Sequence, residues 1–525
     1  MLGGLCRRTR VIFLLVGLGA PLMARGSSYS QAERLDEIRQ LVQQGNLAEA
    51  REHLVKGLKE FPKFAAFYDL LGVVEAEEKK YGSAEQDFQK AIKLDPFLIG
   101  AYLNLGHLYQ QNAAGDQNAP LKALTTYGKV LEFDPTNVEA NYQSAVLLER
   151  RKAYKMSLEH LSRLPPTDQL KPQALSVLCA DLVGLGEPLQ ASTAVDRLLR
   201  SADLTEADIL LMAPMLEANH WDDLEQRLLE GAIKAQVGGA DILGALGRLY
   251  ERLGKLDEAR ATLERTAQAS PHSAEPLVEL ARVAEKQKDF TGALGYLAHA
   301  RDLDPQNPAI HFFIGIVCVK ENLLEESFNS LKQAVQLAPD NPYYNYALGV
   351  VAQQRADPRE AIPYFKKYCV LKSDDPRGNL QLGITYFKGH QDDLAQEELK
   401  TAAHHRETAA AAHFFLGRIA NQQGNTTLAL NELQQALDAE PNYADPYAEE
   451  GVVFLKLKDY ASAENALARA LALDPDHYVA NLNLMMLYQR TGDKRAADQA
   501  KRFEEVKKKR TERAKLSLRS IQIVR

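Results

Sequence analysis

The chain of 525 residues is too long for one ordinary globular core, so we expect either several domains or a repeat array whose core grows linearly with length. Hydrophobic residues make up 46% and charged residues 25%, values of a soluble folded chain that exclude wholesale disorder and a polytopic membrane protein. Because 70 acidic residues outnumber 63 basic ones, the chain lacks the overall basic excess usual in nucleic-acid binding. We therefore expect no nucleic-acid partner.

The first 26 residues have the pattern of an export signal. Three arginines among the first ten residues precede an apolar run from Val11 to Ala20, and Ala24-Arg25-Gly26 fits a small-x-small cleavage site. We predict a signal peptide at residues 1–26 and an exported mature chain, periplasmic or secreted, that begins near Ser27. An uncleaved membrane anchor is the alternative, although the apolar run is shorter than the ~20 residues that span a bilayer and Pro21 interrupts the stretch.

Few residues have the spacing of a catalytic or metal site. Three cysteines follow the signal, Cys179, Cys318 and Cys369. Their spacing is too wide for a metal motif, and their odd number argues against a disulfide framework. The segment from Gly247 to Lys255 ends in Gly-Lys but lacks P-loop spacing, and His404-His405 has no HExxH context. We expect no catalytic site, no cofactor and no metal.

A 34-residue period runs through the chain. Pairs of prolines lie 34 residues apart at Pro62 and Pro96, at Pro271, Pro305 and Pro339, and at Pro441 and Pro475. Residues 240–477 divide into seven uninterrupted units, each with Gly or Ala at position 8, Ala or Ser at position 20, and Leu or Phe at position 24. Helical spacing of the apolar residues predicts two amphipathic helices in each unit. The small residues, such as Gly349 with Ala361, indicate a close helix–helix contact that a longer side chain would overpack.

This pattern resembles the tetratricopeptide repeat. The best match is the set Tyr102, Leu105, Gly106, Tyr109, Ala123, Tyr127 and Pro135. The resemblance implies an all-α fold, a right-handed superhelical solenoid of about thirteen helix-turn-helix repeats over most of residues 31–506. It also implies that repeat positions 2, 5, 9 and 12 of the first helices line a concave groove.

The repeats divide the mature chain into five predicted segments. These are an N-terminal array at 27–164, a degenerate helical segment at 165–239, the regular array at 240–477, capping helices at 478–506 and a basic tail at 507–525. Surplus residues around 112–120 are expected to form a surface loop. Residues 165–239 are either a hinge or eroded repeats. The tail is either the solvated end of a capping helix or a contact for anionic lipid, polymer or a partner.

The inward positions between residues 308 and 421 form an apolar and aromatic run. Its members are Phe312, Ile316, Val319, Tyr343, Tyr346, Val350, Leu380, Ile384, Phe387 and Phe414. An apolar stripe rimmed by charge could dock an extended peptide or an amphipathic helix. The alternative is that these side chains only pack against neighbouring first helices.

Two functional hypotheses follow from the sequence. The first is a non-catalytic protein-binding scaffold that holds protein or peptide partners during envelope assembly, sorting or export. The second is an accessory subunit of an envelope polysaccharide-synthesis or secretion machine, whose partner would be membrane-associated; it rests on analogy with other long repeat arrays. An enzyme is disfavoured because no stretch outside the repeats is long enough for a catalytic domain.

Overall fold

The structure is a computed structural model that describes residues 28–112, 116–355 and 357–523. The predicted signal peptide and part of the predicted surface loop, residues 113–115, lie outside this range. Throughout the described range every regular element is helical, which confirms the all-α fold class. The chain forms two compact units, Met1–Leu249 and Tyr250–Arg525, with the boundary inside one helix.

The N-terminal unit consists of helical hairpins. Its helices are α1 (Ser28–Gln43), α2 (Leu47–Glu60), α3 (Ala65–Glu77), α4 (Tyr81–Leu94), α5 (Ile99–Gln111), α6 (Ala119–Phe133), α7 (Val138–Arg150), α8 (Tyr154–Ser162), α9 (Pro166–Gln169), α10 (Pro172–Leu185), α11 (Pro188–Leu199), α12 (Glu206–Ala218) and α13 (Asp222–Lys234). Helix α14 (Ala240–Arg252) contains the boundary between the units.

The C-terminal unit continues with the same hairpins. Its helices are α15 (Leu256–Ala269), α16 (Glu275–Lys286), α17 (Phe290–Leu303), α18 (Pro308–Lys320), α19 (Leu324–Leu337), α20 (Pro342–Gln353), α21 (Ile362–Leu371), α22 (Pro376–Lys388), α23 (Asp392–Ala403), α24 (Ala409–Gln422), α25 (Thr426–Ala439), α26 (Ala444–Leu457), α27 (Tyr460–Leu473), α28 (Tyr478–Thr491) and α29 (Ala496–Ile523). A 3-10 turn (Pro358–Ala361) precedes α21.

The small residue at position 8 makes the close contact that the sequence predicts. A Cβ atom on Gly349 would lie 2.7 Å from Cε1 of Phe365, which occupies position 24 of the same repeat. A Cβ atom on Gly315 would lie 2.5 Å from Cγ of Leu331 and 3.3 Å from the backbone carbonyl oxygen of Ser327 at position 20. Glycine at position 8 therefore lets the position-24 side chain lie directly on the first helix.

A left-handed backbone residue joins the two helices of most hairpins. In the C-terminal unit it stands at position 15 of the repeat, with φ of 57° at Asn322, 63° at Lys458 and 81° at Gly424. Glycine adopts this conformation without a steric cost, and other residues adopt it rarely. This residue lets the chain reverse direction within a short turn between the two helices of a repeat.

Residues 165–239 also form helices that follow the hairpin pattern. Helix α10 packs against α11, and α12 packs against α13, while α10 and α12 contact each other as first helices of adjacent repeats do. The shortest helices near this segment are α8, which has nine residues, and α9, which has four. Prolines at 165 and 166 separate these two short helices, because proline cannot donate the hydrogen bond that would continue α8.

At the C-terminal end, α29 packs on α28 and continues across the predicted boundary at residues 506 and 507. Phe503 and Val506 are buried, and the Phe503 ring lies 5.3 Å from that of Tyr478. Arg502 and Lys509 both pair with Asp476, at 2.7 and 2.9 Å. Among the described residues, none of the helices combines the length and the apolar character that crossing a membrane would require.

Candidate partner-binding surface

Four first helices of the C-terminal unit, α18, α20, α22 and α24, carry the ten residues of the predicted groove. Three of these helices begin with proline at the first helical position, where its fixed φ favours a helix and its missing N–H costs nothing. Asn341 caps α20 by accepting hydrogen bonds from the backbone N–H groups of Tyr343 and Tyr344, at 3.0 and 3.3 Å. The cap fixes the first turn of α20, and with it the position of Tyr343.

The ten residues differ in accessibility. Tyr343 is 60% exposed, whereas Phe387 and Phe414 are each only 7% exposed. The other seven are half-buried: Phe312, Ile316, Val319, Tyr346, Val350, Leu380 and Ile384. The stripe is therefore accessible along α18, α20 and the middle of α22, and it closes at the end of α22 and on α24.

Aromatic packing explains why part of the stripe is covered. The ring of Phe387 lies 5.5 Å from that of Phe415, and Phe414 lies 5.1 Å from Phe415. The guanidinium carbon of Arg418 lies 4.8 Å above the Phe387 ring, a cation–π contact that covers its face. Phe387 and Phe414 thus serve packing, the alternative that the sequence left open, because Phe415 stands where its ring reaches both.

Half-buried aromatic residues of α18 and α20 pack against neighbouring rings. Phe312 stacks on Tyr344 with ring centroids 4.8 Å apart. Tyr346 contacts Tyr368 at 4.9 Å and Phe365 at 5.9 Å. These contacts fix the rings in place, and the exposed remainder of each ring forms a rigid apolar surface beside Tyr343.

A polar cavity of about 430 Å³ adjoins Tyr343. Its lining includes Tyr368, Arg377 and His405. Asp375 accepts hydrogen bonds from the Tyr368 hydroxyl at 2.6 Å and from Arg377 at 2.5 Å. The Arg377 guanidinium holds the pKa of Asp375 well below its usual range, and burial together with Asp375 raises the pKa of Tyr368. At neutral pH this is an ionised pair with a neutral phenol, at one edge of the apolar surface.

Sequence reasoning missed this cavity. The sequence feature that could have predicted it is Tyr368 at repeat position 27, where the repeat pattern has alanine. A phenol at that position reaches the Asp375 carboxylate that ends the repeat and caps the next helix.

Lysines at repeat position 13 connect successive repeats along the same unit. Each donates to the residue at position 12 of the preceding repeat. The pairs are Lys286 with Glu251 at 2.9 Å, Lys320 with Glu285, Lys388 with Gln353 at 3.2 Å, and Lys456 with Asn421 at 2.5 Å. These bonds place polar groups at the ends of the first helices, beside the apolar stripe. The pairing could have been found from the sequence by comparing position 13 with position 12 one repeat earlier.

The three cysteines do not behave as reactive groups. Cys179 and Cys318 are buried, and burial raises the pKa of the Cys179 thiol to about 12 and that of Cys318 to about 11. The pKa of Cys369 is raised to about 11 for the same reason. Thiols with such pKa values stay protonated at neutral pH and are poor nucleophiles and metal ligands. Within the described ranges, no group of His, Cys, Asp or Glu is arranged to hold a metal ion.

Comparison with known proteins identifies the repeat. A family model described as "Tetratricopeptide repeat" matches residues 35–99, 226–274, 244–308, 278–342 and 380–445. A second model with the same description matches residues 444–477. Together the two models match more than half of the chain.

Two curated proteins are similar over parts of the chain. Human "Protein O-mannosyl-transferase TMTC3" is 27% identical over 249 residues, which cover 46% of this chain and 26% of the relative. "Tetratricopeptide repeat domain-containing protein PYG7, chloroplastic" from Arabidopsis thaliana is 36% identical over 91 residues, 17% of this chain and 29% of the relative. The chain thus spans about a quarter of the length of these relatives.

Two solved structures show distant similarity to parts of the chain. A tetratricopeptide repeat protein from Parabacteroides merdae has 16% identity and a TM-score of 0.35, covering 49% of this chain and 99% of its own. Pseudomonas aeruginosa pilF has 22% identity and a TM-score of 0.34, covering 39% of this chain and 94% of its own.

Proposed function

Because the chain belongs to the tetratricopeptide repeat family, we propose that it is a non-catalytic scaffold that binds partner polypeptides on the first helices of its C-terminal unit. The observation that carries this proposal is the exposed ring of Tyr343 beside the fixed, half-buried side chains of α18 and α20. Rigid aromatic side chains with a polar neighbour are the usual anchors of protein interfaces. The adjoining Asp375–Arg377 pair supplies polar groups at the rim.

The proposed partner is a polypeptide segment with apolar side chains, either extended or as one face of a helix. Such a segment would bury its side chains on Tyr343 and Ile316 and leave its polar groups to the rim. The proposal needs no catalytic group.

The site of action that we propose is the cell envelope, in assembly, sorting or export. Its support is the sequence of residues 1–26 alone. Expression of the full chain in a host with a periplasm, followed by fractionation and mass determination of the N-terminus, tests this part. Recovery of the uncut chain in the cytoplasm would contradict it.

Affinity capture from envelope extract tests the binding surface. The test variant carries Ile316→Ser, Tyr343→Ser and Ile384→Ser, and avoids the buried Phe387 and Phe414, whose replacement would unfold the unit. The matched control carries Val370→Ser, Leu394→Ser and Leu428→Ser, three exposed apolar residues on the second helices α21, α23 and α25. Circular dichroism must first show that all three proteins are equally folded.

We expect the wild type and the control variant to retain the same partner and the test variant to lose it. Equal capture by all three proteins would show that the partner does not bind on the first helices. The identity of the partner then separates the two hypotheses: a polymer synthase or secretion pore would favour an accessory subunit of that machine over a general scaffold.

A further inference from the structure

A carboxyl group without a hydrogen-bond partner is buried in the N-terminal unit, at Asp181 on α10. Its side chain is 0% exposed, and neither carboxyl oxygen has a hydrogen-bond partner among the described residues. Buried carboxyl groups are normally paired or hydrogen bonded, because an isolated buried charge is strongly disfavoured. The surroundings of Asp181 therefore favour the neutral acid over the carboxylate.

The neighbours of Asp181 on α7 and α8 stabilise a charge only in part: Ser157 lowers the pKa of Asp181, but burial and Glu149 outweigh it. The Ser157 hydroxyl on α8 donates its proton to the backbone carbonyl of Ala145, at 3.0 Å. On α7, the buried Ser144 hydroxyl has no described partner either, and the carboxyl group of Glu149 adds a like charge. Ionisation of Asp181 would thus place a second negative charge beside Glu149 with no cation to balance it.

Four titratable groups on the elements that pack against α10 have partners other than Asp181. The pairs are His160 on α8 with Asn141, Asp168 on α9 with Lys171, Asp196 on α11 with Arg227, and Asp208 on α12 with its cap Thr205. Glu149 is the charged group whose field acts on Asp181.

The position of Asp181 makes its charge important for the whole unit. Helix α10 packs against α7 and α8 on one side and against α12 on the other, so it connects the regular hairpins to the irregular middle. The contact is close, since a Cβ atom on Gly184 would lie 2.3 Å from the Tyr154 ring of α8. Helix α8 has only nine residues, and so offers little other surface to hold α10.

We propose that protonation of Asp181 controls a conformational switch in the N-terminal unit: the neutral acid keeps α10 packed against α7 and α8, and loss of the proton to solvent loosens this contact. Residues 165–239 would then act as a hinge whose stiffness depends on pH. This proposal is independent of the binding surface on the C-terminal unit.

The sign of the pH dependence follows from the direction of the shift. Burial, with Glu149 as a second cause, raises the pKa of Asp181 to about 7, from 3.8 in a solvated carboxyl group. Asp181 therefore keeps its proton while α10 is packed, over a pH range in which it would lose that proton once α10 has loosened and the carboxyl group is solvated. Opening is most strongly suppressed below about pH 4, becomes easier up to about pH 7, and is constant above that value.

Hydrogen exchange of the full chain, read by mass spectrometry, tests the switch. Wild type and Asp181→Asn are compared at the same pH, at pH 4.5 and at pH 8, so that intrinsic exchange rates cancel. At pH 8 we expect α7, α8 and α10 to exchange faster in the wild type than in the variant, and at pH 4.5 the difference should shrink. Peptides from α18 and α19 serve as the internal control and should not differ.

The wild-type profile also tests the proposal without any variant. Protection of α10, corrected for intrinsic exchange, should fall by up to about tenfold for each pH unit between pH 5 and pH 7. Glu149→Gln removes the like charge, so the fall should end at lower pH. A flat wild-type profile would overturn the proposal, and so would faster exchange of Asp181→Asn at both pH values, since that would mean that the carboxylate is a stabilising partner.

Discussion

Glycine at repeat position 8 determines how closely the two helices of a hairpin approach. At Gly349 the nearest neighbour of an added Cβ atom is the Phe365 ring, which is 0% exposed and cannot move into solvent without leaving the core. Replacement by leucine should destabilise the C-terminal unit by roughly 1–3 kcal/mol, because the added side chain overpacks this contact. Chemical denaturation followed by circular dichroism measures the effect. An unchanged unfolding midpoint would show that the contact is looser than described.

Glycine at position 15 has a different role, which a second substitution can separate from packing. Gly424 has φ of 81° and no atom within 4 Å of an added Cβ, so Gly424→Ala tests backbone conformation alone. We expect a loss of about 1 kcal/mol, since alanine is strained at positive φ.

Gly295 is the matched control for Gly424. It lies inside α17, also with open space around an added Cβ, but without positive φ. Gly295→Ala should stabilise the chain by about 0.8 kcal/mol, because alanine favours the helix. Thermal unfolding of the two variants should therefore shift in opposite directions, and shifts in the same direction would contradict the assignment of the turn.

At the scale of the element, the C-terminal helix depends on a short apolar segment. Helix α29 contacts α28 through Phe503 and Val506, both buried, and Phe503 also lies against Tyr478. Phe503→Ala should cost about 3 kcal/mol, because it removes a buried ring and leaves a cavity. The exposed Lys507→Ala is the control on the same helix. Limited proteolysis should release the C-terminal segment from the first variant, and equal resistance of the two would contradict this role.

The sequence predicts these elements well where one local pattern decides them. The spacing of glycine, alanine and proline gave the hairpins of residues 240–477 and the contact between positions 8 and 24. Accessibility of the stripe could not be predicted in the same way. Phe387 is covered because Phe415 and Arg418 of the following repeat pack on its ring, and contacts between repeats do not follow from the position of a residue within its own repeat.

The polar connections between repeats were missed for a related reason. Lys388 and Gln353 look like ordinary surface residues when each repeat is considered alone, and the bond between them appears only when neighbouring repeats are compared. Asp181 was missed because its segment lacks the regular period, so no position number marked it as buried.

At the scale of the whole molecule, stability depends on pH in two opposite ways. Glu450 in the C-terminal unit has its pKa raised to about 7 by burial, an effect that Arg469 partly offsets. Its contribution to stability is therefore greatest below about pH 4.5 and is lost as pH rises to about 7. Asp375 behaves in the opposite sense, because its pKa is lowered and its stabilising pairs are lost on acidification.

Glu450→Gln should remove the first of these effects. The thermal unfolding midpoint of this variant should equal that of the wild type at pH 4.5 and exceed it at pH 8, because glutamine has no charge to bury. The exposed Glu397→Gln controls for the change in net charge and should follow the wild type at both pH values. If Glu450→Gln lowers the midpoint at pH 8, the Glu450 carboxylate is instead stabilised by Arg469.

The lysines at position 13 give the C-terminal unit a direction. A repeat with lysine at position 13 donates backward to the repeat before it, as Lys456 does to Asn421, so its donor faces the preceding repeat and its position-12 acceptor faces the following one. The two sides of such a repeat are therefore complementary to each other. A copy of residues 274–307 inserted after residue 307 would meet an acceptor in front and a donor behind, and the array could be lengthened by whole repeats without new chemistry at either junction.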